Sequence, residues 1–388
     1  MSKVAVIGVG ATPFGDHRAT SARRLGAMAV AAALDDAGIA GARLEAAYVG
    51  CGITGLLDGQ EGMIGQLLLR ELGVTGLPVL RVENACASSA CAVREAWLAI
   101  RAGEADIVLA CGVEKMRGYP TEIVTKALAG DGDIDLEATA GLIFPAVFAI
   151  MAKAHMARYG TPREALAAVA EKAHAMAALN PKAHMREPIT RDQAMQGRPV
   201  ADPLTVYDCC PISDGAAAVI LASERIARTL SGPKVWLDAC SLVSGTYDSH
   251  SDLVSFDATR RAAARAYTTA GIGPEDVGFA EVHDCFSIAE ILHSEDLGFF
   301  EKGEGGFAAL RGETGLAGRK PINMSGGLKA KGHPVGATGA GQIVEATLQL
   351  RGEAGPRQIE GVNVGLTHCM GGFFGADCGS LAVSILTR

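Results

Sequence analysis

The sequence lacks any uninterrupted apolar run of the roughly 18 residues that a membrane-spanning helix needs, so no span is predicted. It also has no HExxH motif and no CxxC pair. Cys209 and Cys210 are adjacent, which is too close for an ordinary two-ligand zinc knuckle. We therefore expect no metal site. The net charge is −8, which argues against nucleic acid or an acidic membrane surface as the main partner.

What the chain does contain is enough apolar sequence for a large core. Hydrophobic residues make up 49% of its 388 residues and charged residues 20%, which favours an ordered globular protein over disorder. The 10 cysteines show no disulfide-framework spacing and are expected to be free thiols. The segment from Met1 to Gly8 is typical of a first strand rather than a signal peptide, so a cytoplasmic protein is predicted.

Buried strands alternate with Ala- and Leu-rich helical segments, which indicates an α/β fold. The predicted strands are Val4–Gly8, Ala46–Gly50, Val79–Val82, Ile107–Cys111 and Val362–Leu366. After a less regular middle section the pattern restarts near Val235. Two helices are predicted in that middle section, over Pro145–Arg158 and Pro162–Ala178.

The restart has the character of an internal repeat. Ala37-Gly-Ile39 recurs as Ala270-Gly-Ile272, and Ala47-Tyr-Val-Gly50 recurs as Ala280-Glu-Val-His283, in both cases 233 residues later (Ala37 to Ala270, Ala47 to Ala280). We therefore expect two related α/β halves. Residues 119–207 between them are rich in proline and charge, which predicts an inserted segment that serves as a lid, a binding loop or an interface.

Cys86 stands where the predicted strand Val79–Val82 gives way to an Ala-rich helical run, Ala87–Arg101. A thiol at such a junction can face the positive end of a helix, which favours the nucleophilic thiolate. Far downstream, glycines and Pro334 form a rigid turn that presents His333. A cysteine and a histidine held on two such turns predict acyl transfer through a thioester. For Cys86 taken alone, a buried structural cysteine is the alternative.

Two further polar segments lie near the ends of predicted strands, where sites assemble in open α/β sheets. One contains His283, Asp284 and Cys285, and the other contains His368 and Cys369 in a glycine-rich turn. Each segment alone is also compatible with a purely structural role.

These four segments together resemble a thiolase of the acetyl-CoA acetyltransferase and sterol-carrier-protein type. The CxS motif is Cys86-Ala-Ser88, the HDCF motif is His283-Asp-Cys-Phe286, the GHP motif is Gly332-His-Pro334 and the CxG motif is Cys369-Met-Gly371. The resemblance covers almost the whole chain, in order. It implies an α/β thiolase fold in which two duplicated βαβαβαββ halves form a five-layer αβαβα arrangement with an inserted loop domain.

The resemblance also implies domain boundaries. Residues 1–118 and 208–232 would form the N-terminal half, and residues 233–388 the C-terminal half. Residues 119–207 would form the loop domain, which serves as a lid, binds CoA and takes part in oligomer contacts.

Catalytic roles follow from the same resemblance. Cys86 would be the acylated nucleophile, and His333 would accept its proton. Cys369 would handle the proton on the substrate's α-carbon. Because thiolases with an HDCF motif often lack the second cysteine and use the cysteine of HDCF, Cys285 is the alternative acid/base.

The backbone N–H groups of Cys86 and Gly371 would form one oxyanion hole, and His283 with His333 would support a second one for the enolate. CoA is implied as a co-substrate, and no permanently bound cofactor is expected. Substrate and CoA contacts are predicted for Ser244, Arg186 and Asn323.

A homodimer or homotetramer is implied, and other interpretations stay open. A β-ketoacyl synthase shares the fold and would use Cys86, His283 and His333, although Cys369 argues against it. A thiolase subunit for an unusual aromatic or branched acyl-CoA, such as benzoylsuccinyl-CoA, would work with a small zinc-ribbon/OB-fold partner protein. The turn Gly8-Val-Gly10 is compatible with a dinucleotide-binding protein but lacks the third glycine.

Overall fold

The computed structural model describes residues 3–246 and 252–388. The strands in these residues are β1 Val4–Ala11, β2 Ala46–Gly50, β3 Val79–Val82, β4 Ile107–Glu114, β5 Pro199–Ala201, β6 Leu204–Thr205, β7 Gly215–Ser223, β8 Val235–Val243, β9 Phe279–Glu281, β10 Val364–Gly371 and β11 Ser380–Thr387.

The helices in the same residues are α1 Ala22–Ala37, α2 Thr54–Asp58, α3 Ile64–Arg70, α4 Ser88–Ala102, α5 Thr121–Ala129, α6 Phe144–Tyr159, α7 Arg163–Ala178, α8 Arg191–Met195, α9 Glu224–Ala227, α10 Asp257–Ala270, α11 Ser287–Asp296, α12 Gly305–Leu310 and α13 Thr338–Arg351. The alternation of strands and helices confirms the predicted α/β class.

Nine of the described strands form one sheet in the order β3-β2-β4-β7-β1-β8-β11-β10-β9, and β5 pairs with β6 in a separate two-stranded sheet. The two halves have corresponding strand orders, β2-β4-β7-β1 in the first and β9-β10-β11-β8 in the second. They meet at the centre of the sheet, where β1 pairs with β8 through Val6 and Val235. In the second half, the position equivalent to β3 is taken by a single bridge between Ala280 and Ile322. Two duplicated halves are therefore present, and the second has lost most of its third strand.

The predicted repeat holds at the level of single residues. Helix α1 ends at Ala37 and α10 at Ala270, while β2 begins at Ala46 and β9 at Phe279. Both pairs are separated by 233 residues. Each helix is closed by a left-handed glycine, with φ of 64° at Gly38 and 71° at Gly271, which is the usual way to end a helix.

The side chains of β1 show how the layers are stacked. Ala5 and Ile7 pack in one core with α1 and α3, whereas Val4 and Val6 pack in another with α4 and α13. Successive side chains of a strand point to opposite faces of the sheet in this way. The second half packs its outer strand face against α10 and α11 in a third core. The result is the five-layer order in which α4 and α13 form the shared central layer.

The two central helices approach very closely. A Cβ on Gly339 of α13 would lie 2.5 Å from the backbone nitrogen of Ala90 in α4, so only glycine permits the contact. The chain that leads into α4 carries Cys86, and the chain that leads into α13 carries His333. This helix contact therefore brings the two predicted catalytic turns to the same edge.

The inserted segment is more helical than its proline content indicates. Helices α6 and α7 match the two predicted helices within one residue at each end. Phe148 and Met151 of α6 are fully buried in the core of the second half. In residues 3–246 and 252–388, no helix is both long and apolar enough to cross a membrane. The exact limits of the loop domain stay a prediction.

Gly8 and Gly10 have a packing role. They lie inside β1, and a Cβ on either residue would overlap the backbone of α1. The turn that a dinucleotide would require after the first strand is thus absent at these two positions.

Candidate active site

Cys86 lies in a tight turn between β3 and α4. Ala85, the residue before it, has a φ of 50°, which is a strained value for a residue with a side chain. The hydroxyl of Ser88 donates to the carbonyl oxygen of Ala85 at 2.6 Å and accepts from the N–H of Asn84 at 3.0 Å. The serine of the CxS motif therefore holds the strained turn that presents the cysteine.

His333 is held in one orientation by Thr338. Nδ1 of His333 lies 2.7 Å from the Thr338 hydroxyl, and this hydroxyl donates to the carbonyl oxygen of Pro334 at 3.1 Å. Because the hydroxyl has one hydrogen, it accepts from Nδ1–H. The lone pair of the neutral imidazole is then on Nε2, the atom that a base would use.

The structure brings three of the predicted side chains together. One donor atom each of Cys86, His283 and His333 lies within 4.8 Å of the others. The two imidazole rings meet edge to face, with their centroids 5.1 Å apart. These atom types also bind Zn²⁺, so an added ion would compete for the same thiol.

Cys369 is in direct contact with this group. Its Sγ donates to the carbonyl oxygen of Cys86 at 3.2 Å and lies 4.0 Å from Nδ1 of His283. Cys285 lines the same cavity, and its carbonyl oxygen accepts from the N–H of Cys210 at 2.9 Å. Both candidate acid/base thiols are thus close to the nucleophile, and Cys369 makes the contacts to Cys86 and His283.

Gly371 at the end of β10 packs against the nucleophile turn. A Cβ there would overlap the carbonyl oxygen of Asn84 and lie 2.8 Å from the nitrogen of Ala87. Only glycine allows this approach. The third residue of the CxG motif therefore packs against the turn that carries Cys86, and its part in an oxyanion hole stays a prediction.

The three residues predicted to contact the substrate or CoA lie outside the cavity wall. Asn323 is fully buried, and its amide accepts from the N–H of Val282 at 2.7 Å and donates to Glu290 at 3.0 Å. This side chain fixes the strand before His283 and is not among the residues that line the cavity, so the structure gives Asn323 a structural position. Arg186 and Ser244 are exposed and also lie outside the cavity wall.

Burial sets the protonation of Cys86 and His333. It raises the pKa of the Cys86 thiol well above its usual range, and the Asp131 carboxyl and neighbouring thiols add to the effect. Burial also lowers the pKa of His333 to about 3, with the Lys331 ammonium contributing. The resting pair is a neutral thiol and a neutral imidazole. The sequence-based expectation of a preformed thiolate is therefore wrong, because desolvation outweighs the helix end.

Glu114 at the end of β4 connects the turn that follows β2 to the turn that carries His333. One carboxylate oxygen accepts from the N–H of Gly52 at 2.9 Å and from that of Gly336 at 2.8 Å, and the other accepts from the N–H of Thr54 at 2.7 Å. Gly336 lies in the turn that follows His333. Burial raises the pKa of Glu114, against the hydrogen bonds that lower it. No sequence motif marked this role.

Asp131 is a second residue that sequence reasoning missed. One of its carboxylate oxygens is sealed from solvent and has no hydrogen-bond partner, while its carbonyl oxygen accepts from the N–H of Phe373 at 3.1 Å. Burial, with Glu83 and Glu114 adding repulsion, raises the pKa of Asp131 to about 8. A lone aspartate in a loop gives no sequence signal for such an environment.

Cys86, His283 and His333 lie in the wall of a cavity of about 280 Å³. Its remaining wall comes largely from the inserted segment, including Leu128, Leu142 and Val147, and from aromatic residues of the second half. A substrate would thus meet the nucleophile inside an apolar enclosure, where hydrogen bonds to developing charge are strong.

Family models match both parts of the chain. The thiolase N-terminal domain matches residues 4–225, and the thiolase C-terminal domain-like model matches residues 241–387. The chain is 47% identical over 392 aligned residues to an acetyl-CoA acetyltransferase of Methanothermobacter thermautotrophicus, with 100% of both chains covered.

Two other similarities extend the comparison. The chain is 35% identical to the benzoylsuccinyl-CoA thiolase subunit BbsB of Thauera aromatica, with 95% of each chain covered. It also resembles the solved structure of an Ltp2-ChsH2(DUF35) aldolase, with a TM-score of 0.85 and 26% identity over 100% of this chain and 98% of that chain. With both family models matched along almost its full length, the chain belongs to the thiolase family and is an acyltransferase.

Proposed function

We propose that this chain cleaves or forms 3-ketoacyl-CoA by acyl transfer through a thioester on Cys86, with CoA as co-substrate. The observation that carries the proposal is the meeting of Cys86, His283 and His333 within 4.8 Å of one another in the wall of an apolar cavity. A thiolate is both a good nucleophile and a good leaving group, which a two-step transfer requires.

In the first step, Sγ of Cys86 attacks the β-keto carbon while its proton passes to Nε2 of His333. Because the thiol and the imidazole are both neutral at rest, this proton transfer accompanies the attack. The carbon–carbon bond then breaks, and its electron pair forms the enolate of acetyl-CoA, which takes a proton to give acetyl-CoA. The acyl group stays on Cys86.

In the second step, the thiol of CoA attacks the acyl carbon and a new acyl-CoA leaves. The proton of the CoA thiol replaces the one that the acid gave to the enolate, and the proton held by His333 returns to the sulfur of Cys86, so the enzyme is restored. The N–H groups of Cys86 and Gly371 are proposed to bind the tetrahedral oxyanion, and His283 with His333 the enolate oxygen. Each such donor typically contributes on the order of 3 kcal/mol.

We assign the α-carbon proton to Cys369 rather than Cys285. The support is the contact of its Sγ with both Cys86 and His283, since the enolate carbon must lie between the acylated sulfur and the acid. Burial raises the pKa of Cys369, which suits a group that is protonated at rest and gives its proton to an enolate.

The test is intact-protein and peptide mass spectrometry after mixing the chain with an acyl-CoA. An acyl adduct on Cys86, its disappearance on adding CoA, and its absence in Cys86→Ala support the proposal. An adduct confined to another cysteine contradicts it. Consumption of malonyl-CoA without thiolysis of acetoacetyl-CoA would instead indicate the β-ketoacyl synthase activity.

Assembly is also proposed rather than established. Strand β3 lies at the outer edge of the ladder and Leu80 on it is 58% exposed, which leaves an unprotected edge for a second copy. We therefore propose at least a homodimer, measurable by light scattering. A cytoplasmic location is proposed because all 10 cysteines are free thiols.

A second candidate is a subunit that needs a small zinc-ribbon/OB-fold partner. The benzoylsuccinyl-CoA thiolase relative is named as a subunit, and the similar aldolase is named with a DUF35 component. The inserted segment exposes Ile123, Ile134 and Leu136 by 52%, 60% and 71%, which offers apolar surface for a partner. Full thiolytic activity of the chain alone would count against this candidate.

A further inference from the structure

The cavity beside Cys86 is far larger than an acetyl group. Its volume is about 280 Å³, whereas one water molecule needs only about 10–15 Å³ of cavity volume. An acyl group that fills only the region next to the sulfur would leave most of the apolar wall without contacts. Unfilled apolar space costs dispersion contacts, so the cavity favours a larger acyl group.

Aromatic rings form one side of this wall. The rings of Phe148 and Phe286 stack with their centroids 4.6 Å apart and their planes at 21°, and Phe373 lies 6.5 Å from Phe148. All three residues line the cavity. Such a surface binds a second ring or a branched aliphatic group through apolar contact.

The described part of the cavity wall also lacks a positive charge that could pair with a charged acyl group. Among the described residues, none of those that line the cavity is a lysine or an arginine. The carboxylate in the wall, Glu137, already accepts from the N–H groups of Asp133 and Gly375. A carboxylate on the acyl group would be buried here without a cationic partner, which costs several kcal/mol.

We propose that the acyl group transferred through Cys86 is uncharged and bulkier than acetyl, with a branch or a phenyl ring packed against Phe148 and Phe286. The inference rests on the proposed acyl transfer and adds the substrate class. When an acyl-CoA acylates the enzyme, the bond between the acyl carbon and the sulfur of Cys86 forms and the bond between that carbon and the sulfur of CoA breaks. CoA leaves as the thiol with the proton of Cys86.

The experiment compares rates of Cys86 acylation by acetyl-CoA, isovaleryl-CoA, benzoyl-CoA and succinyl-CoA, followed by intact mass. We expect isovaleryl-CoA or benzoyl-CoA to acylate Cys86 at least about 10-fold faster than succinyl-CoA and faster than acetyl-CoA. One methylene in an apolar pocket is worth about 10- to 200-fold. Faster acylation by acetyl-CoA than by both bulky thioesters overturns the inference while leaving the proposed function intact.

Two variants test the location. Phe148→Ala removes a ring from the wall, and Ala129→Leu puts a larger side chain at another lining position; each should slow the bulky thioesters by about 10-fold and acetyl-CoA by less than about 2-fold. Ile150→Ala, on the exposed face of the same helix as Phe148, is the matched control and should change neither. Equal effects of Ala129→Leu on all thioesters overturn the assignment. If no thioester acylates Cys86, the proposed function itself fails.

Discussion

Nδ1 of His333 lies 2.7 Å from the hydroxyl of Thr338, which in turn donates to the carbonyl oxygen of Pro334. The hydroxyl therefore decides which imidazole nitrogen carries the proton. Thr338→Val removes this acceptor, so part of the population takes the other tautomer and cannot accept the proton of Cys86. We expect kcat to fall by on the order of 10- to 100-fold, which reaches the lower end of general-base effects because only part of the population is affected.

Thr347→Val is the control for that substitution. Thr347 lies on the same helix α13, is fully buried, and its hydroxyl has no hydrogen-bond partner. It should leave kcat unchanged, and Thr338→Ser should restore most of the activity. Equal kcat values in Thr338→Val and the unmodified chain would contradict the tautomer assignment.

Glu114→Gln should loosen the turn that carries His333. The carboxylate accepts N–H groups on both oxygens, from Gly52 and Gly336 on one and from Thr54 on the other. An amide must turn its NH₂ towards one of these donor sets, which leaves buried N–H groups facing another donor. We expect kcat/KM to fall by about 100-fold, because a misplacement near 1 Å costs this much.

The matched control for Glu114→Gln is Glu345→Gln, a buried glutamate bound to Arg357 through two hydrogen bonds. Both substitutions should lower the melting temperature, but only the one at Glu114 should also lower kcat/KM at a temperature where both variants are folded. A loss of activity that merely follows the loss of stability in both variants would show that Glu114 does not position His333.

Cys369→Ala should separate the two half-reactions. Acylation of Cys86 continues, because the nucleophile and His333 remain, while exchange of the α-protons of acetyl-CoA with deuterated solvent stops. NMR measures the exchange and mass spectrometry measures the acylation. Loss of exchange in Cys285→Ala with retention in Cys369→Ala would assign the acid/base role to Cys285 instead.

Asp131→Asn should change how stability depends on pH. The pKa of Asp131 is raised from 3.8 to about 8 in the folded chain, so between these values the folded state holds a proton that the unfolded state lacks. Stability from this group is therefore lost as the pH rises, at most by about 1.4 kcal/mol per pH unit. The free energy of unfolding of Asp131→Asn, relative to the unmodified chain, should increase from pH 5 to 8 and then level off.

Urea unfolding at several pH values measures this difference. Asp135→Asn, an exposed aspartate in the same segment, should show a constant difference across the range. A constant difference for Asp131→Asn as well would mean that this carboxyl is ionised in the folded chain.

The sequence predicted best what is encoded locally. Strands β2 and β3 match their predicted limits to the residue, because each is a short, mostly apolar run that starts directly after Glu45 or Pro78. The four motifs meet because each lies at or just after the end of a strand, or precedes a central helix, at the same edge of the sheet. The loss of the third strand in the second half left no such local signal.

The prediction failed where the outcome depends on three-dimensional surroundings. The start of α4 suggested a thiolate at Cys86, yet the enclosure formed by the inserted segment and the second half keeps the thiol protonated. Asn323 stood in a glycine-rich stretch that suggested a ligand contact, but its amide is taken up by Val282 and Glu290. Neither result can be obtained from the residues adjacent in sequence.

The place of β7 in the ladder has a consequence for biosynthesis. β7 lies between β1 and β4 and pairs with both, although Gly215–Ser223 follows the whole inserted segment in the chain. A nascent chain on the ribosome therefore holds β1 and β4 as open edges until residue 223 has been translated, and such edges aggregate readily. A truncation that ends before Gly215 should consequently not fold on its own, however complete its motifs.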